Sequence, residues 1–189
     1  MNTLEKLTEE KRHIIDHFLM HCLDMSPEDM EKHSFMMELG INIIQNPDHM
    51  VRLLENAYSE HHADDVERIL ALSYIFEILD ENFVDILCRL LESDWHYRHE
   101  SVASALQLLA PPEAADCLYR TAIRPPYEYL EYSDVYPLSV KCIWALGDIN
   151  TKKSREKLKL LEKSDNEIIR EKAWRQLNVY NLERPCPES

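Results

Sequence analysis

An all-α chain, arranged as a short solenoid of about ten helices in antiparallel pairs, is what this sequence predicts. Three observations carry the prediction. The 189 residues include only two glycines, Gly40 and Gly147, whereas β-rich and nucleotide-binding α/β folds need glycine at turns and phosphate-cradling loops. No glycine-rich phosphate loop occurs, and no long run alternates with period two. One spaced pattern then recurs. From Asp94, steps of 4, 8, 11 and 12 reach Arg98, Val102, Ala105 and Leu106; from Asp134 they reach Leu138, Cys142, Ala145 and Leu146; from Asp165 they reach Ile169, Ala173, Gln176 and Leu177. These steps trace one buried stripe over three helical turns, with small residues where a neighbouring helix would approach. Each Asp stands where an N-cap is expected, since a carboxylate there accepts from free backbone N–H groups. The copies begin 40 and 31 residues apart, a range typical of stacked helix pairs.

Two of the copies carry a resemblance. Leu138-Ser139-Val140-Lys141-Cys142-Ile143-Trp144-Ala145-Leu146-Gly147-Asp148-Ile149 resembles the second helix of a HEAT-type repeat, with its Ala-Leu-Gly-x-Ile ending. Asp165 through Ala173 is similar to the Asp, Val-Arg and Ala opening of that helix. The Asp94 copy departs from the pattern, because Arg98 stands where an apolar residue is usual. The resemblance covers the C-terminal half of the chain. It implies a helix-pair fold and a habit of binding proteins, without naming a partner or a reaction.

The elements follow in order. A first helix is expected from Thr8 to Leu23, with Ile14, Ile15, Phe18, Leu19, Cys22 and Leu23 as its apolar stripe. His13, His17 and His21 run beside that stripe at i, i+4 and i+8. No third ligand of matching geometry accompanies any pair of them, so they are expected at a surface or interface and no metal is expected. Ser26-Pro27-Glu28-Asp29 reads as a helix start, with Ser at the N-cap and Pro at the first helical position. The second helix carries Met30, Phe35, Met36, Leu39, Ile43 and Ile44, with Gly40 as a possible break. Asn46-Pro47-Asp48 starts a third helix bearing Met50, Val51, Leu53, Leu54 and Ala57. A weaker copy of the repeat begins at Asp64, with Arg68, Leu72, Ile75 and Phe76. The run from Ile69 to Leu79 is apolar on more than one face, which predicts a central helix. Asn82 to Leu91 pairs with the Asp94 helix, and the helix after Pro111-Pro112-Glu113 with the Asp134 helix. Lys152 to Leu161 pairs with Asn166 to Leu177. The basic face of Lys152, Lys153, Arg155, Lys157, Lys159 and Lys163 reads as a solvated cap. One solenoid domain is therefore expected over residues 1–178, irregular over 1–80 and repeating over 82–178, with 179–189 as a frayed tail.

Charge bounds the function. The net charge is −14, and the first hundred residues carry 22 acids against 8 bases. An acidic body repels nucleic-acid backbones and anionic membranes and attracts basic partners. The five cysteines form no CxxC pair, which fits a reducing compartment. Met1-Asn2-Thr3-Leu4-Glu5-Lys6 is too polar for a signal peptide, and no 18-residue apolar run exists. A cytoplasmic location is expected.

The least regular stretch, Arg124 to Pro137, lies between the two helices of the 40-residue repeat. Four of the nine tyrosines fall there: Tyr127, Tyr129, Tyr132 and Tyr136, interleaved with Glu128, Glu131 and Asp134. Tyrosine offers rigid contact area and a hydroxyl, and interfaces are enriched in it. Interleaved acids suit a Lys/Arg-rich partner. Equivalent repeat positions would place Trp95, His96 and Tyr97 on the same edge, joined by Glu60, His61, His62 and Asp65. Catalysis finds no support: no nucleophile elbow and no Cys–His arrangement can be read, and no cofactor is implied. The expectation is a protein-binding module that inhibits a basic protein, such as an immunity protein against a nuclease toxin. Its rivals are an adaptor within a larger complex, using Lys141, Trp144 and Arg170, and a glycosylase of damaged DNA, for which HEAT-like enzymes place Trp and Asp as Trp144 and Asp148 stand here.

Overall fold

The computed structural model describes residues 6–22, 27–124 and 136–180. Among them are ten α-helices and no strand. No helix among these residues is long and apolar enough to cross a membrane. The chain divides into two compact units, Met1–Phe83 with Trp95–Arg98, and Val84–Asp94 with His99–Ser189.

The first unit holds α1 (Glu9–Cys22), α2 (Asp29–Leu39), α3 (Pro47–Glu60) and α4 (Ala63–Ile75), followed by a 3₁₀ turn at Glu81–Phe83. Pro47 opens α3 at its first turn, as Asn46-Pro47 predicts. α2 starts differently. Its N-cap is Glu28, whose backbone N–H donates to Glu31 Oε2 at 2.8 Å, so Pro27 precedes the cap instead of following it; Ser26 lies outside the described residues. The same helix stops at Leu39, short of Ile43 and Ile44. Gly40 takes φ +69°, a left-handed C-cap that costs a residue without Cβ little. α4 is central: it packs on α1 and α3, and Val66, Ile69, Leu70 and Leu72 are buried. Phe18 and Phe35 stack with centroids 4.0 Å apart, and Phe76 tilts against both. That triad pins α1, α2 and the end of α4 together.

The second unit holds α5 (Val84–Leu91), α6 (His99–Leu109), α7 (Ala115–Ile123), α8 (Pro137–Ile149), α9 (Lys152–Leu161) and α10 (Glu167–Arg175). A 3₁₀ turn at Pro112–Ala114 leads into α7, and a π turn at Gln176–Tyr180 follows α10. α5 packs on α6, α7 on α8, and α9 on α10. α7 also touches α5 and α9, while α8 also touches α6, α9 and α10. The stripe read from the steps is interior: Val102, Ala105, Leu106, Leu138, Cys142, Ala145, Leu146 and Ala173 have no measurable exposure. The small side chains let α6 and α8, the most extensively packed pair, approach closely.

Asp64, Asp94 and Asp165 are not caps. α6 starts five residues after Asp94; α4 starts at Ala63, so Asp64 is already helical. The cap of α10 is Asn166, not Asp165: its Oδ1 accepts from Ile168 N–H at 3.0 Å and Ile169 N–H at 3.2 Å. Asp134 lies outside the described residues, and the N-cap position of α8 is Tyr136. Asn166, not Asp165, occupies the extended cap position, from which its side-chain oxygen meets both free N–H groups. Asn166→Ala is expected to cost about 1 kcal/mol in urea unfolding, whereas Asp165→Ala should stay within about 0.5 kcal/mol. Equal losses at the two positions would show that the carboxylate shares the cap.

The basic face of α9 is not only solvated. Lys153 Nζ and Lys157 Nζ lie 2.5 and 2.8 Å from the two carboxylate oxygens of Asp116 on α7. Hydrogen bonds from Lys153 and then Lys157 pull the Asp116 carboxyl down to about 2. Cys22, Cys88, Cys117 and Cys142 are all free thiols.

Candidate functional site

The surface chemistry of the first unit begins with a part-buried ion cluster built on one buried carboxylate. Asp65, on the first turn of α4, is 4% exposed, so it does not join an outer edge. Arg12 of α1 reaches it with Nε at 3.0 and 3.2 Å and Nη2 at 2.8 Å. Arg68, one turn further along α4, adds Nη1 at 3.1 Å. Arg68 also grips Asp16 through Nε at 2.6 Å and Nη2 at 2.8 Å. These bonds hold the Asp16 carboxyl below its ordinary range and raise both guanidinium values. α1 and α4 are thus joined by charge as well as by packing.

The cluster has an outward consequence. It draws two of the unit's few Lys and Arg side chains onto a buried carboxylate, where Arg12 and Arg68 keep 19% and 16% side-chain exposure. Left on the surface are Glu9 and Glu10 of α1, Glu28, Asp29 and Glu38 around α2, Asp48 and Glu60 of α3, Asp64 and Glu67 of α4, and Glu77 and Glu81 beyond it. Among the unit's described Lys and Arg residues, only Lys6 and Arg52 are exposed, and Lys6 pairs with Glu60. Such a surface carries a negative potential that steers cationic partners.

An aromatic turn lies within this field. Trp95 is half-buried, its ring edge-on to Tyr58 at 5.9 Å and to His61 at 5.0 Å. His96 is 1% exposed, and its Nδ1 accepts from the Arg98 backbone N–H at 3.1 Å. Its place is therefore inside the turn, holding it, and not on a contact surface. Tyr97 is 73% exposed. Arg98 pairs with Glu67 of α4. His61 and Trp95 are thus side by side. Tyr127, Glu128, Tyr129, Glu131, Tyr132 and Asp134 lie outside the described residues. Tyr136 is half-buried with φ +49°, and its carbonyl accepts from Val140 N–H at 3.0 Å.

In the second unit, α6, α8 and α10 present a separate face. Lys141 Nζ lies 3.3 Å from both Glu100 Oε2 and Ser104 Oγ, and Gln107 Nε2 donates to Asp148 Oδ2 at 2.7 Å. Trp144 and Trp174 stand out from it at 41% and 48% exposure. Asp148 is accordingly held by a neutral amide.

His13, His17 and His21 are exposed, and His21 Nε2 lies 3.1 Å from Glu31 Oε1. Among the described residues no three His, Cys, Asp or Glu side chains converge as a metal would require. The ion cluster is not legible in the sequence, because its members are 52 and 53 residues apart. One signal was present. Arg68 and Arg98 both fill the apolar +4 place of the repeat, and both turn out to pair with carboxylates.

Fold and surface together define an all-helical protein with an acidic first unit. No family model, no curated protein and no solved structure matches the chain.

Proposed function

We propose that this protein is a HEAT-like helical-repeat module that binds and blocks a basic protein partner, such as a nuclease toxin, in the cytoplasm. The observation that carries the reading is the charge separation in the first unit. Arg12 and Arg68 are drawn onto the interior Asp65 while carboxylates populate the surface of α1 to α4. A nucleic-acid-binding surface is basic by necessity, and an acidic blocker gains association rate from that match. Exposed Tyr97, and the tyrosines and acids between residues 127 and 136, supply the anchoring contacts in this reading. The repeat assignment draws support from the second unit, where the main contacts of each helix are with its own pair or the adjacent pair.

The test is affinity capture from the native host's lysate at two salt concentrations. The expected result is one basic protein, retained in equimolar amount, released by moderate salt, and inactive as a nuclease or toxin while bound. Charge reversal at Glu128, Glu131 and Asp134 should lower its retention at least tenfold. Retention unchanged by that reversal, or capture of nucleic acid alone, overturns the reading. A second reading, an adaptor in a larger assembly, is favoured by exposed Trp144 and Trp174. It predicts several co-purifying subunits, lost on Trp144→Ala and not on charge reversal.

A further inference from the structure

A cleft of about 340 Å³ runs between α1 and α4, lined by Asp16, Leu19, Met20, Asp64, Glu67 and Arg68. Its chemistry is mixed in a specific way. Met20 is 66% exposed while Ile15 and Phe18 on the same helix are buried. The thioether therefore faces out, next to half-buried Leu19, and offers an adaptable apolar floor. Asp64 and Glu67 stand one turn apart on α4, both exposed; Glu67 already pairs with Arg98 and keeps 48% side-chain exposure, so Asp64 is the carboxylate without a competing cation in the lining. The one cation in the lining, Arg68, already gives Nε and Nη2 to Asp16 and Nη1 to Asp65. It adds little repulsion against an incoming positive charge.

We infer that this cleft seats an amphipathic segment of the partner protein, one apolar side chain resting on Leu19 and Met20 with Lys or Arg side chains reaching Asp64 and Glu67. The inference rests on the reading of a basic partner given above and assigns that partner a contact point. Charge complementarity selects the occupant. Phosphates and acidic peptides meet three carboxylates in the lining. A bare metal ion meets an apolar floor and no convergent ligand set. A basic amphipathic helix matches both the floor and the rim, with anchors repeating at i, i+3 and i+4. A second copy of this chain would bring another strongly acidic first unit against the cleft.

Fluorescence anisotropy on the full chain tests this with three labelled 16-residue peptides: Leu and Lys in helical amphipathic order, the same residues shuffled, and the ordered peptide with Glu for Lys. At low salt the ordered Lys peptide should bind at least tenfold tighter than the shuffled one, and the Glu peptide should not bind. Met20→Glu should weaken the ordered peptide at least tenfold, as should D64K/E67K. The pair E38K/E81K, which makes the same change in net charge outside the cleft, should shift affinity less than about threefold. All substituted residues are exposed, and retention of the helical circular dichroism signal checks the fold.

If E38K/E81K weakens binding as much as D64K/E67K, the attraction is a property of the whole surface; the cleft inference falls and the basic-partner reading stands. No effect of Met20→Glu also overturns the cleft. If sedimentation finds a dimer that Met20→Glu dissolves, the occupant is a second copy and the inference falls. If neither the ordered peptide nor any basic host protein is retained at low salt, both readings fall.

Discussion

Asp65→Ala is expected to destabilise the first unit by about 3–5 kcal/mol, because it leaves two guanidinium groups confined without their shared anion. Three contacts between 2.8 and 3.2 Å tie Arg12 to this carboxylate, and one at 3.1 Å ties Arg68. Neither arginine can simply swing into water, since each side chain is less than a fifth exposed. Arg68 retains Asp16, and Arg12 retains Glu9, so the loss should fall nearer the lower bound than that of a fully isolated charge. Equilibrium urea unfolding followed by Trp95 fluorescence in a Trp144→Phe, Trp174→Phe background reads this unit, because the two replaced tryptophans belong to the second unit. A loss under about 1 kcal/mol would mean that water replaces the carboxylate, and that the cluster is a surface feature. Two companion measurements separate charge from packing. Replacing Arg12 and Asp65 together by Met and Leu should recover most of the loss, since removing both partners avoids the unpaired charge. Asp16, held below its ordinary range chiefly by the Arg68 hydrogen bond, contributes stability that is complete above the unfolded value. That contribution is lost as pH falls through the lower folded one. An acid limb beginning below about pH 4 is therefore expected in wild type. It should be weaker in a variant lacking Arg68.

That cluster marks the boundary between what periodicity reveals and what it leaves hidden. A spacing of 4, 8, 11 and 12 is a statement about one helix and its buried stripe, and the interior positions of Val102, Leu138, Cys142 and Ala173 follow from it directly. Helix starts depend on which side chain reaches the free N–H groups, a matter of one residue. Asp165 and Asn166 are nearly equivalent on paper, and the backbone settles on Asn166. The turn from Trp95 to Arg98 intervenes between Asp94 and α6 because Trp95 packs edge-on against Tyr58 of α3 and His61 just after it, while His96 folds inward and takes the Arg98 backbone N–H. Ion pairs between α1 and α4 require two helices to be placed before they can be read at all. Tyr97 is exposed as an interface residue must be, while His96, its neighbour, is interior; a run of aromatic residues does not say which member faces out. The acid-rich tyrosine segment from Tyr127 to Asp134 belongs to the proposal on composition alone.

Gly147→Ala is expected to lower the stability of the second unit by about 1–2 kcal/mol, against the ordinary preference of a helix for alanine. Gly147 lies inside α8, where replacing glycine by alanine normally gains about 1 kcal/mol. Here a Cβ would come within 2.6 Å of Gln176 Cδ. Gln176 is 8% exposed, at the start of the π turn after α10, so its amide has little room to withdraw. Overpacking of this kind costs about 1–3 kcal/mol, which exceeds the propensity gain. The repeat register explains why the two residues meet. Gln176 fills the +11 place where the Asp94 and Asp134 copies carry Ala105 and Ala145. A long side chain at a close-approach position is accommodated by removing the Cβ opposite. The double-mutant cycle carries the argument. In a Gln176→Ala background the clash is absent, so Gly147→Ala should become stabilising by about 0.5–1 kcal/mol. Reversal of sign between the two backgrounds, read by urea unfolding of each protein, is the expected outcome. If Gly147→Ala destabilises equally with and without Gln176, the glycine is required by something other than this side chain, and the complementarity of the two repeat positions is not the reason for it.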